Sequence, residues 1–316
     1  MNVRSGDRPI LLSIAAVERD TGIGKDTLRA WERRYGFPTP SRDQNDERTY
    51  PLEQVEKLRA IKRLLDLGHR PGRVVGLPIE ELHRLCMGQT PPPASIDEID
   101  QDPNAAVMPL YDAIRQHDDQ GLRRLLGQAY SAHGLAHFVM NVIAPLNTMV
   151  GDGWMRGELQ VFEEHLYSET VQTLLRQAIN QLPQPSVRNR PRVLLTTFPQ
   201  EQHGLGLLMV EALLCLKGCT CVSLGVQTPI RDIVMAAKAH QAQVIALSFS
   251  LAFNPNQVLD GLSELRAQLS DSVEVWAGGR SGILQRRDVP GVMILGDLKD
   301  LALHVDRWRN ANAASI

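Results

Sequence analysis

The sequence predicts a multidomain chain: an α-helical winged helix-turn-helix, then a four-helix bundle, then a Rossmann-like doubly wound α/β unit with a parallel sheet of five strands. Three observations predict it. Short helical segments with glycine stops fill residues 9–87, a strongly helical stretch fills 105–181, and strand alternates with helix over 191–310. Residues 88–104, "GQTPPPASIDEIDQDPN", are polar, proline-rich and without period, which marks a linker; 182–192, "LPQPSVRNRPR", form a second, shorter break.

In the first region "LSIAAVERDTG" has apolar Leu12, Ala15 and Ala16 and a stop at Gly22, and "GKDTLRAWERRYG" follows after a tight turn and ends at Gly36. "LEQVEKLRAIKRLLDLG" then places Val55, Leu58, Ile61, Leu64 and Leu65 on one helical face. Two short helices joined at "TGIGK" match the helix-turn-helix pattern, whose second helix enters the major groove of DNA. Its first residues are Lys25, Asp26, Thr27 and Arg29, followed by Trp31, Arg33, Arg34 and Tyr35. "SRDQNDERTY" has the length of a small hairpin wing and offers Arg42, Arg48 and Tyr50 to phosphates, contacts that supply affinity and register. Charge agrees with this. Residues 1–75 hold 15 Lys+Arg against 11 Asp+Glu, a balance of +4, so a net charge of −2 leaves −6 for the rest. On charge alone a helical domain with a solvated charged face fits equally well.

The middle region contains "LRRLLGQAYSAHG", "LAHFVMNVIAPLNTMVGDGWMRGE" and "VFEEHLYSETVQTLLRQAINQL", which read as a bundle with short connections. Trp154 falls at a helix end, with Glu164 and His165 on the next helix. Taken alone, these are ordinary packing and exposed charge.

In the third region the strands are "RVLLTTF", "CTCVSLG", "VIALSFS", "VEVWAGG" and "VMILG". A doubly wound sheet binds ligands beyond the carboxyl ends of its strands, at the point where strand order reverses. The loop after the first strand carries Glu201 and His203, the loop after the third begins at Ser248-Phe249-Ser250, and the fourth strand ends in Gly278-Gly279. Three loops thus converge on one edge of the sheet. His203 itself reads as a structural loop residue, a catalytic base or a metal ligand. A dinucleotide or flavin site would need G-x-G-x-x-G, and "EQHGLGLLM" has Met209 where the third glycine belongs.

No apolar run reaches the roughly 18 residues of a membrane span, and the N-terminus lacks the features of a signal peptide. Cys86, Cys215, Cys219 and Cys221 show neither a disulfide framework nor zinc spacing, and three of them lie in apolar helix or strand contexts suited to reduced thiols. The expectation is a cytoplasmic protein with no membrane partner.

The order of parts in the first region closely resembles the DNA-binding domain of MerR-type regulators. It shows Ile14, then Thr27-Leu28-Arg29-Ala30-Trp31-Glu32-Arg33-Arg34, then Arg48-Thr49-Tyr50. That resemblance implies double-stranded promoter DNA as partner, with Lys25, Thr27, Arg29, Arg33, Arg34, Tyr35, Arg42, Arg48 and Tyr50 at the interface. MerR regulators usually dimerise through a long helix after this domain; here the proline-rich linker stands in its place.

Glu201-x-His203-x-x-Gly206, then Ser248-x-Ser250 after 41 intervening residues, then Gly278-Gly279 after a further 27, resembles the signature of cobalamin-binding domains that hold the cofactor base-off. The resemblance implies that His203 ligates cobalt from below and that Glu201 orients its ring. Gly206, Ser248, Ser250, Gly278 and Gly279 would line the slot for the displaced nucleotide tail. Glu201 stands where the pattern has Asp, and Ser250 where it has Leu.

Trp154, Glu164 and His165 meet the W-x9-E-H spacing of the helical cap in the light-responsive MerR-type cobalamin regulators, the CarH/LitR group. In that group the tryptophan covers the upper face of the cofactor, while the acid and histidine contact its adenosyl group; Val161 joins the same set. The implied function is an adenosylcobalamin-binding, light-responsive transcriptional regulator, a repressor, and not an enzyme. Its homo-oligomerisation (dimer or tetramer) and DNA binding would depend on the cofactor. Members that trap the photoproduct carry a histidine directly after the tryptophan, where this chain has Met155. Two alternatives stay open: a MerR-type regulator that senses another tetrapyrrole or no cofactor, and a corrinoid carrier protein of a methyltransferase.

Overall fold

A computed structural model describes residues 11–44, 46–66, 68–87, 106–183 and 190–312. The proposed linker 88–104 lies outside the described residues, as do the first two residues of the N-terminal region and the middle of the second break. The chain divides into an N-terminal and a C-terminal unit.

In the N-terminal unit β1 (Leu11–Ser13) leads directly into α1 (Ile14–Thr21), so Leu12 is a strand residue and not the start of the helix. Ser13 caps α1 by accepting from the Ala16 N–H, and Gly22, at φ 68°, ends it in the left-handed conformation that glycine tolerates best. After Ile23 and Gly24, α2 (Lys25–Tyr35) runs to Gly36. The wing is present: β2 (Ser41–Arg42) and β1 each pair antiparallel with β3 (Arg48–Pro51). Next come α3 (Leu52–Asp66), α4 (Pro71–Val74) and α5 (Ile79–Met87). Val55, Leu58, Ile61 and Leu64 of α3 are fully buried with Val17, Leu28 and Trp31, as their helical spacing predicts, and Leu65 packs at the edge.

The C-terminal unit opens with α6 (Met108–Arg115) and α7 (Asp119–His137). Gly134 (φ 76°, ψ 172°) breaks α7, a π-helical turn (Phe138–Ile143) follows, and α8 (Ala144–Arg156) and α9 (Val161–Asn180) complete the bundle. The run Asp119–Arg156 is, by length and composition, apolar enough to cross a membrane, which the sequence reading did not anticipate. Its Leu122, Leu126, Phe138, Val139 and Leu146 belong to the core of the bundle, which accounts for that composition.

The sheet comprises β4 (Arg192–Thr196), β5 (Thr220–Gly225), β6 (Val244–Phe249), β7 (Glu274–Gly279) and β8 (Val292–Leu295), all parallel, in the order β5-β4-β6-β7-β8. Helices α10 (Leu205–Leu216), α11 (Ile230–Ala239), α12 (Pro255–Gln268) and α13 (Leu301–Ala311) connect and flank the strands. Both faces are covered, so strand residues alternate between two cores. Val193, Leu195, Val244, Ala246 and Trp276 join the core that contains α10 and α13, and Leu194, Ile245, Leu247, Val275 and Ala277 join the one on the opposite face.

The bundle and the sheet are not separate modules in the sense their sequence break suggests. Buried residues of α6, α7, α8 and α9 form one continuous core with α10 and its face of the sheet. The reason is visible in α10, "LGLLMVEALLCL", which is apolar on nearly every side: Leu205, Leu207, Leu208, Met209, Ala212, Leu213 and Leu214 are all buried. A helix of that kind needs partners on two sides, the sheet and the bundle.

Gly279 shows how tightly the sheet edge is built. Its φ is +114°, and a Cβ there would collide with the carbonyl oxygen of Phe249 on the neighbouring strand. Gly279→Ala is expected to destabilise the C-terminal unit by about 3 kcal/mol, combining backbone strain with overpacking. Chemical denaturation followed by the near-ultraviolet signal of this unit checks it; an unchanged midpoint would contradict the geometry.

Candidate functional site

The strand order reverses at β4, which has β5 on one side and β6 on the other. The loop after β4 is therefore the one the topology assigns to a ligand. It is pinned from below: the Thr197 hydroxyl donates to the Glu201 carbonyl (2.7 Å) and accepts from the Gln227 N–H (2.9 Å), while the Thr196 hydroxyl bonds the Gly225 carbonyl and the Thr228 hydroxyl.

Within this frame Glu201 is 1% exposed, and its carboxylate takes four hydrogen bonds. Oε1 accepts from the His203 backbone N–H (3.0 Å) and pairs with His203 Nδ1 at 2.8 Å; Oε2 accepts from the Ser250 N–H and hydroxyl, both at 2.8 Å. Burial alone would raise the carboxyl's pKa, but the hydrogen bonds from the His203 ring, the Ser250 backbone and the His203 backbone together hold it below the usual value of 4.5. The same pair raises the His203 imidazole above its ordinary 6.5, chiefly through the hydrogen bond to Glu201 against a smaller opposing effect of burial. The His203 side chain is 56% exposed, and Nε2 has no hydrogen-bond partner among the described residues. An imidazole anchored at Nδ1 by a carboxylate, with Nε2 unspent, is the usual arrangement of a histidine metal ligand.

The glycines explain the space beside it. A Cβ on Gly206 would lie 2.9 Å from Ser248 Oγ, so this glycine lets the start of α10 approach the end of β6. Ser248 stands in register with Gly278, and Phe249 with Gly279. The structure thus brings Gly206, Ser248, Gly278 and Gly279 to one corner of the sheet edge. Ser250 differs from its expected place in the slot: its hydroxyl is spent on Glu201. Sequence reasoning missed that role because Ser250 lies 49 residues further along the chain.

On the bundle side, Trp154 is half-buried against the core, and Val161 begins α9. Glu164 Oε2 meets His165 Nδ1 at 2.7 Å, and the Ser168 hydroxyl donates to Glu164 Oε1 at 2.6 Å. Glu164 is close enough to His203 for its charge to raise the imidazole pKa, which puts the α9 acid and the loop histidine on the same side of the sheet edge.

In the N-terminal unit, Thr27, Arg29, Arg33, Arg34 and Arg42 are exposed, and Lys25 and Tyr35 half-exposed. Arg29 pairs with Asp26 and Arg42 with Asp46, while the Arg34 guanidinium lies over the Tyr35 ring. One aromatic residue expected at the DNA surface belongs instead to the core: Tyr50 is fully buried, alongside Trp31 at 6% exposed. Alternation on β3 explains Tyr50, since Thr49 and Tyr50 must face opposite sides. Arg48 is turned inward to Glu32 at 3.1 Å, which fastens the wing to α2.

The Glu201–His203 pair carries a test of its own. In the ligand-free protein the His203 imidazole should titrate above 6.5, and Glu201→Gln should bring its midpoint down, as read by NMR of the ring protons. The sign for stability follows: the His203 contribution is complete below pH 6.5 and fades as pH rises through the folded pKa. The Glu201 contribution is present above pH 4.5 and is lost as pH falls through its depressed folded value. A midpoint that Glu201→Gln leaves unmoved would contradict the pairing.

Known proteins share this organisation. Residues 12–81 match the MerR HTH family regulatory proteins, and residues 109–179 and 191–297 each match a B12 binding domain. The chain is 31% identical over 281 residues to the HTH-type transcriptional repressor CarH of Myxococcus xanthus, covering 86% of this chain and 89% of that protein. It is 31% identical over 259 residues to CarA of the same organism, covering 81% and 83%. The monomethylamine corrinoid protein of Methanosarcina barkeri shares the fold of the C-terminal unit. Its TM-score is 0.52 at 17% identity, over 65% of this chain and 100% of that one. A DNA-reading unit followed by two matched B12 binding domains, at this identity over most of the length, places the chain in the CarH/CarA family of MerR-type, cobalamin-binding transcriptional regulators.

Proposed function

We propose that the protein is an adenosylcobalamin-dependent, light-responsive repressor whose oligomeric state and DNA affinity follow its cofactor. The observation that carries the reading is the Glu201–His203 pair, with Nε2 unspent, beside the glycine-lined corner and on the same side as Glu164. The donor set fits the group: imidazole suits a borderline metal, and the carboxylate behind it fixes the tautomer.

In this reading His203 would hold the cobalt of the cofactor through Nε2, with its Nδ1–H donating to Glu201. Gly206, Ser248, Gly278 and Gly279 leave room for the nucleotide tail, and Ser250 acts one step back, by holding Glu201. Trp154, Val161, Glu164 and His165 form the upper wall and exclude water from it. When bound, adenosylcobalamin supplies a cobalt–carbon bond that light breaks. Assembly of several DNA-reading units on one oligomer raises avidity for promoter DNA, and loss of the assembly removes it. Lys25, Thr27, Arg29, Arg33, Arg34, Tyr35 and Arg42 meet the DNA; Arg48 and Tyr50 support the wing from behind.

Purified protein mixed with adenosylcobalamin should turn red with a base-off, histidine-ligated spectrum, and His203→Ala should lose that spectrum. In the dark the loaded protein should elute as a dimer or tetramer and retard promoter DNA; after illumination it should elute smaller and release the DNA. Equal binding by His203→Ala with an unchanged spectrum would overturn the assignment.

Met155 sets the behaviour after light. Its thioether is a much weaker ligand for oxidised cobalt than imidazole. The illuminated wild type should show no stable bis-histidine spectrum, and Met155→His should gain one. A stable bis-histidine spectrum in the wild type would overturn this.

A further inference from the structure

The helix that carries Trp154 is tied to the sheet edge by one side chain that the sequence reading did not single out. Arg280 follows the strained Gly279, and its own N–H donates to the Phe249 carbonyl at 2.9 Å, so its backbone is fixed at the C-terminal end of β7. From there the guanidinium reaches α8. Nη2 donates to Asp152 Oδ1 at 2.9 Å, and Nη1 lies 3.5 Å from the Thr148 carbonyl, one helical turn earlier. The pair is partly buried, with 34% of the Arg280 side chain and 24% of Asp152 exposed.

Two glycines flank Asp152 in the stretch Gly151-Asp152-Gly153-Trp154. A Cβ on Gly151 would already touch Arg280 Nη1, at 3.6 Å, so the guanidinium lies close against the helix there. A Cβ on Gly153 would collide with the Tyr111 hydroxyl, so this glycine lets α8 press onto α6. Asp152, between them, points its charge to the sheet, and Trp154 comes two residues later. A partly desolvated, charge-assisted hydrogen bond is directional, and removing one partner leaves the other charge poorly solvated.

We propose that Arg280 and Asp152 form a latch that holds the end of α8, and with it Trp154, at the cofactor edge of the sheet. Both are assigned as positioning residues, each acting through the helix that bears the tryptophan. The latch rests on the reading of Trp154 as the upper wall, and it couples that wall to the glycine pair that admits the nucleotide tail. Movement of the bundle away from the sheet edge must break it.

The test uses the full-length protein in two arms. In the first, without cofactor, backbone amides of α8 are followed by hydrogen exchange in wild type, Asp152→Asn, Arg280→Gln and the charge swap Asp152→Arg/Arg280→Asp. The single variants should exchange faster at 148–156, and the swap should restore protection. In the second, adenosylcobalamin dissociation is followed in the dark: the single variants should release it about tenfold faster, with the histidine-ligated spectrum unchanged at saturation. Should the swap fail to fold, Arg280→Lys, which keeps the charge and one donor, should fall between wild type and Arg280→Gln in both arms. Wild-type exchange and wild-type release in the single variants would overturn the latch, as would a folded swap no better than they are. Failure of the wild type to take up adenosylcobalamin would refute the functional reading instead, and the exchange arm would still decide the latch.

Discussion

A carboxylate sealed from water organises the candidate site. An unpartnered charge in the position of Glu201 would cost several kcal/mol, on the order of the stability of a whole domain. The fold answers with four donors, two from His203 and two from Ser250. Because these donors come from the loops after β4 and β6, neutralising one charge also locks together the two loops that flank the reversal of strand order. The orientation of the histidine follows from that requirement, while Gly206 sets the closeness of α10 to β6.

The second constraint is hydrophobic. An α10 with apolar side chains on nearly every side needs cover beyond the sheet, and the bundle supplies it. Trp154 therefore packs against the same core that lies beneath the loop of His203. In the proposed function, a cofactor at this edge would touch the bundle and the sheet together.

Much of this is legible in the sequence. Alternating strands and helices give the sheet through local periodicity, and the intervals from His203 to Ser248 and Gly278 point to the corner through their resemblance to the cobalamin-binding signature. Residues whose role depends on distant partners are harder to read. Tyr50 sits in a polar stretch beside Arg48 that suggests a phosphate contact, yet the pairing of β3 with β1 turns it into the core. Ser250 departs from the family pattern, and its two bonds to Glu201 give it a role that its position in the sequence does not announce. The sequence break at 182–192 marks a change of topology, but the apolar faces on either side of it close into one core. Arg280 and Asp152 are 128 residues apart, and nothing in either neighbourhood announces the other.

The raised affinity of His203 for protons has a consequence beyond its geometry. With Nε2 as the cobalt ligand, metal and proton compete for one lone pair, so loading the protein must release a proton whenever the imidazole begins charged. Below the folded pKa of His203 the apparent affinity for cobalamin falls by about tenfold for each unit of pH, by simple linkage. Glu201 then acts in two directions, strengthening the ligand at neutral pH and strengthening its competitor in acid.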